Sequence, residues 1–174
     1  IISAHKAPSN HSTGAGVVDA LQRILPAEAE QKSKIAGVFI GTTQFINAIV
    51  ERSSELSRVF VLRLCGAACD SIEPFETFPS DLRPIVDGGF VAVAGGHHVT
   101  GAPICDLDVD AIRAQCAKWK ALPTITVDNP LELVVIGTFS CSAPQHELQA
   151  AQIVADELGD RVSVTLSHRV GSEH

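Results

Sequence analysis

A hydroxyl, an amide and a carboxylate stand at Thr43, Asn47 and Glu51, spaced i, i+4, i+8. On a helix these three share one face. They follow Gly41 and Thr42, which come directly after the apolar run Val38-Phe39-Ile40. A buried strand, a tight glycine turn and a helix start leave unpaired N–H groups aimed above the strand end. A line of polar groups beginning there orients a phosphate or an amide substrate. The plainer alternative is a capped amphipathic helix with a solvated polar face, its Phe45, Ile46, Ile49 and Val50 packing on the sheet.

A second group lies at Ser140, Cys141, Ser142 and His146. His146 falls in the first turn of a helix that follows a strand, where sites in α/β sheets concentrate. There it is a proton shuttle or ligand contact, or else an exposed histidine in a capped turn. Ser140, Cys141 and Ser142 line the same strand end. A nucleophile among them needs a positioned base and an oxyanion donor, and the sequence shows neither.

Two further patterns resolve to structure. Gly95-Gly96-His97-His98 with Cys65, Cys69 and Cys105 lacks a second paired ligand motif, so no metal site is expected and the two histidines read as exposed. Asp106, Asp108 and Asp110 have calcium-loop spacing, but Ala111 and Ala117 stand where that loop needs Gly and Glu. Acidic residues at a helix start explain the cluster.

The elements that must position these groups alternate. Val17, Val18, Leu21, Ile24 and Leu25 recur with helical spacing after Ser12 or Thr13, and Pro26 ends the pattern. Strand 35–40, a helix over 42–52 and strand 58–64 follow. Residues 65–105, rich in proline and glycine, read as an irregular insertion in which only 90–94 is a strand, one arm of a hairpin closing on 99–104. Then come a helix capped by Asp106 or Asp108, strand 131–136, a helix opened by a Ser142/Gln145 capping box, and strand 162–166. Leu148, Ala151, Val154, Ala155 and Leu158 form the expected buried face of the last helix, which Gly159 ends. This alternation predicts an α/β fold, one domain over 1–174, with a mostly parallel or mixed sheet flanked by helices.

Composition narrows the partners. The 174 residues are 45% apolar, enough for a core. No apolar run is long enough to span a membrane. A net charge of −7 without a basic stripe argues against nucleic acid. Five cysteines without repeated spacing suggest reduced thiols and a cytoplasmic protein. The absence of methionine and the abrupt apolar start suggest an excised fragment.

Four segments together carry a resemblance. Gly41-Thr42-Thr43 with Asn47-Ala48 and Glu51-Arg52 resembles a signature of the hydantoinase/oxoprolinase N-terminal region. His5-Lys6-Ala7-Pro8-Ser9, Gly137-Thr138-Phe139-Ser140 with Pro144-Gln145-His146-Glu147, and Leu166-Ser167-His168 resemble three more of its stretches, in the same order. The resemblance implies a lobe of the actin-like (ribonuclease H-like) fold. It also implies a hydrolase opening hydantoin, 5-oxoproline or a similar cyclic amide, assisted by ATP and Mg²⁺ in the full-length protein. The candidate cleft residues are then Gly41, Thr42, Thr43, Asn47, Ser140 and His146. The fragment alone is expected to be inactive, because such proteins usually begin with an Asp-x-Gly-Gly-Thr-Asn phosphate loop upstream of this start. Its partners would be the remaining domains of the same protein or a partner subunit. The alternative is a non-catalytic scaffolding or regulatory lobe that docks through Phe75, Phe78 and Phe90.

Overall fold

Alternate residues of Leu131–Gly137 are apolar and buried: Leu131, Leu133 and Val135 are each at most 2% exposed. Strands covered on one face by helices read this way. A computed structural model describes residues 15–25, 44–66 and 73–170 of the chain. They divide into two compact units, Ile1–Thr43 and Gln44–His174. In the first, the described element is helix α1, Ala15–Ile24, with Arg23 paired to Asp19 one turn earlier.

In the second unit, helix α2 (Gln44–Val50) precedes strand β1 (Val59–Leu64), a one-turn helix α3 (Arg83–Val86) and strand β2 (Asp87–Val93). Helix α4 (Val109–Lys120), strand β3 (Leu131–Gly137), helix α5 (Gln145–Leu158), strand β4 (Val162–Leu166) and the short helix α6 (Ser167–Val170) complete it. The four described strands form one sheet in the order β2-β1-β3-β4, and every pairing is parallel. Register places Phe60, Leu62 and Leu64 beside Leu133, Val135 and Gly137. These positions share the face on which Ile112, Cys116, Trp119, Ala150, Val154 and Leu158 of α4 and α5 pack. Burial in that core raises the Cys116 thiol to about 11, which leaves it an inert packing group. No described helix is long and apolar enough to cross a membrane.

Three sequence expectations change. First, the strand expected at 90–94 exists but is the edge strand β2, Asp87–Val93, paired parallel with β1 rather than one arm of a hairpin with 99–104. Its Gly88-Gly89 pair forms a bulge: Val59 and Val61 pair with Asp87 and Phe90, so β2 carries one extra residue. Gly89 has φ of +99°, and a Cβ on Gly88 would come within 2.7 Å of the Phe60 ring. Second, α5 starts at Pro144 without a side-chain cap, so the expected Ser142 box is not formed. Its buried stripe is rotated, with Glu147, Ala150, Val154 and Leu158 inside, Leu148 43% exposed and Ala155 exposed. Third, Phe45, Ile46 and Val50 of α2 are exposed rather than packed on the sheet. The Asp108 cap is as expected, accepting from the Ala111 N–H at 2.9 Å.

Candidate functional site

Every described strand runs the same way, so their C-terminal ends lie along one edge. Strand β1 has β2 on one side and β3 on the other, and between β1 and β3 the connections diverge. Open parallel sheets bind ligands in the crevice at this kind of reversal. Here the chain bridges that crevice itself. After β2, residues 95–97 cross the end of β1 to reach β3. His97 N–H donates to the Thr138 carbonyl at 3.0 Å, and Thr138 N–H donates to the Leu64 carbonyl at 3.0 Å. Gly96 has φ of +81°, and a Cβ there would meet the Leu64 carbonyl oxygen at 2.9 Å. Gly96→Ala is therefore expected to cost roughly 1–3 kcal/mol, read as a lowered urea midpoint with an unchanged slope.

The crossing brings two histidines together. His97 is 5% exposed, and its ring centroid lies 4.2 Å from that of His146 at a 40° tilt. The expectation that both histidines of the glycine turn are exposed thus fails for His97 and holds for His98. His146, half-buried in the first turn of α5, accepts the Gly96 N–H at Nδ1 over 3.1 Å. Burial pushes its pKa below the ordinary 6.5; the neighbouring His97 adds to this and Asp106 opposes it. Because the folded value lies below the unfolded one, the stability that neutral His146 contributes is present above pH 6.5 and lost as pH falls through the folded value. The slope of Tm against pH below 6.5 should flatten in His146→Asn, whose Oδ1 still accepts the Gly96 N–H.

One residue further along, the Glu147 carboxylate is 1% exposed and filled with donors. Its Oε1 accepts from Gly137 N–H and from Ser167 Oγ, both at 2.6 Å. Its Oε2 lies 2.6 Å from His168 Nδ1 and 3.3 Å from His168 N. Ser140 Oγ adds a 3.1 Å bond to Ser167 Oγ. Burial alone would raise the Glu147 pKa, but the bonds from Ser167, His168, Gly137 and Ser140 together lower it below 4.5. A carboxylate has about four acceptor sites, and four donors occupy them. Glu147 ties the ends of β3 and β4 to the start of α5 and leaves no lone pair for chemistry.

The predicted site residues divide accordingly. Ser140 is buried in the Glu147 knot, where its hydroxyl bonds Ser167 and helps to hold the Glu147 carboxylate charged. His146 stands at the strand ends, half-buried. Asn47 is exposed on α2, and its side chain takes no part in either network. Gly41, Thr42 and Thr43 lie outside the described residues, as do strand 35–40, the Lys6 segment and Cys69. The sequence reading missed His97 as a buried partner and Glu147 as the organising group. The pair Gly95-Gly96 at a strand end was the available signal for the first. For the second it was the phase of α5: with Glu147, not Leu148, on the inner stripe, the apolar positions fall at 150, 154 and 158. Among the described residues no group of three His, Cys, Asp or Glu side chains could hold a metal ion, and Cys105, Cys116 and Cys141 are free thiols.

No curated protein matches the chain closely enough to be called a relative. The family model of the hydantoinase/oxoprolinase N-terminal region matches residues 1–158. That span takes in β1 to β3, the Gly95–His97 crossing and both His146 and Glu147. The chain belongs to the hydantoinase/oxoprolinase family, as its N-terminal region.

Proposed function

We propose that this region forms one wall of the cleft in a hydrolase that opens a cyclic amide: a hydantoin, 5-oxoproline or a related ring. The observation that carries the reading is the gathering of His97, His146 and Thr138 where parallel strand ends diverge, in a chain of this family. Ring opening forms a C–O bond from water to the amide carbon, breaks the ring C–N bond and delivers a proton to the departing nitrogen. A ring amide is neutral and planar, and a surface of backbone groups and the His146 imidazole suits it. The Glu147 knot holds that surface still, and His97 backs the His146 ring.

The facing wall, on this reading, comes from the remaining domains of the same protein or a partner subunit, in an actin-like arrangement. The parallel sheet with helices on it is in keeping with such a lobe. ATP and Mg²⁺ belong to the proposal for the complete protein. Among the described residues no group of three His, Cys, Asp or Glu side chains could hold the ion by itself. The free thiols support a cytoplasmic setting.

The complete protein, given hydantoin or 5-oxoproline with and without ATP and Mg²⁺, should release the ring-opened amino-acid product. No product from either ring under both conditions would overturn the reading. A second reading, a scaffolding lobe that packs on a partner domain or subunit, is favoured by the exposure of Phe78 and Phe90, each 43%. Turnover unchanged by Thr43→Ala with Asn47→Ala would favour it.

A further inference from the structure

We propose that His146 works as a fixed neutral hydrogen-bond donor, not a proton shuttle: its Nε2–H binds the carbonyl oxygen of the ring amide. The inference rests on the cyclic-amide reading and adds to it the group that touches the carbonyl.

The hydrogen bond at Nδ1 fixes the tautomer. A neutral imidazole has one donor nitrogen and one acceptor nitrogen, and the bond made at one sets the role of the other. The donor at 3.1 Å from Nδ1 is a backbone N–H, that of Gly96, which cannot turn around to accept. Nδ1 is therefore the acceptor, and the proton sits on Nε2. The geometry that enforces this is tight. Gly95 and Gly96 both have positive φ, and a Cβ on Gly96 would meet the Leu64 carbonyl oxygen at 2.9 Å. The two glycines let the crossing backbone take the course that presents the Gly96 N–H to Nδ1.

The surroundings also oppose the charged ring. Of the groups that face His146, His97 from the segment after β2 and the positive end of its own helix α5 disfavour a charge there, and together with burial they outweigh Asp106, which favours it. Glu147 is the adjacent residue, but its oxygens are taken by Gly137, Ser167 and His168. Protonation would break the Gly96 bond and place a cation 4.2 Å from the His97 ring. A group that resists protonation is a poor shuttle near neutral pH. A neutral imidazole held by a helix N-terminus and aimed at a carbonyl is a known way to polarise it. His146 is half-buried rather than sealed, so a ligand reaches it, whereas His97 at 5% exposure serves as its backing.

Two substitutions separate the ring's two nitrogens. Asn at 146 keeps the acceptor for Gly96 and removes the distal donor; Gln places an amide N–H near the Nε2 position. In the complete protein His146→Asn should lower kcat about 100-fold, the usual size for one carbonyl-directed donor, with Tm at pH 8 little changed. His146→Gln should recover part of that loss. Nitrogen-resolved NMR of the 174-residue chain should show the Nε2–H tautomer from pH 8 to 6.5. With 5-oxoproline added to the complete protein, the His146 Nε2–H resonance should shift; proline, the same ring without the carbonyl oxygen, should leave it in place. An Nδ1–H tautomer, or His146→Asn turning over like the parent, overturns the proposal while the hydrolase reading stands. No turnover by the unsubstituted protein overturns both.

Discussion

Glu147→Ala should lower stability by about 3–5 kcal/mol, the range for removing one partner of a buried charged network. The donors of Gly137, Ser167 and His168 would lose the buried acceptor they share. Three chain segments would lose their common tie: the end of β3, the start of α5 and the junction of β4 with α6. Glu147→Gln should not rescue it, because the amide keeps one acceptor oxygen and turns an NH₂ toward other donors. The effect should also depend on pH with a definite sign. The folded pKa lies below the ordinary 4.5, so the carboxylate's contribution is present above pH 4.5 and lost as pH falls through the folded value. Parent and Glu147→Ala should therefore converge in stability as acid is added. Urea unfolding at pH 7 and pH 3.5 measures both parts. A difference below 1 kcal/mol at pH 7 would show that the knot is not a structural centre.

The second large effect is in the core. Leu62 is fully buried on β1, a strand with neighbours on both sides, where it stands beside Val91 and Val135. Leu62→Ala removes packing on both neighbours and leaves a cavity under α4 and α5, which should cost about 2–5 kcal/mol. The same change at exposed Leu148 should cost well under 1 kcal/mol. The sequence periodicity places Leu148 in the core and the structure does not, so the pair of variants tests the observed phase of α5. Equal losses at the two positions would contradict it.

Much of the frame was legible because local rules and global fold agree there. The spacing of Ile112, Cys116 and Trp119, the Asp108 cap and the apolar strands 59–64, 131–137 and 162–166 all point one way. What was hidden depends on contacts across the chain. The Gly88-Gly89 bulge hides the start of β2 and its parallel partner β1, so the strand at 90–94 looks like one arm of a local hairpin. A glutamate beside a histidine in a first helical turn looks solvated until two distant strand ends deliver donors to it. His97 looks exposed until the Gly95-Gly96 crossing folds it under His146. Of the candidate site, His146 and Ser140 were legible by position, but their different surroundings were not: one stands at an open edge and the other is locked in a knot.

The central claim, that the strand-end edge carrying His146 is the chemical face of a cyclic-amide hydrolase, is tested most directly by one comparison. Ring-opening kcat should be measured on the complete protein, on His146→Asn, and on Gln115→Ala, the last in a shallow hollow lined by Phe60, Gly88 and Trp119. The expected result is turnover by the parent, a loss of about 100-fold in His146→Asn, and parent-like turnover in Gln115→Ala. Absence of ring opening, or equal rates in all three proteins, would contradict it.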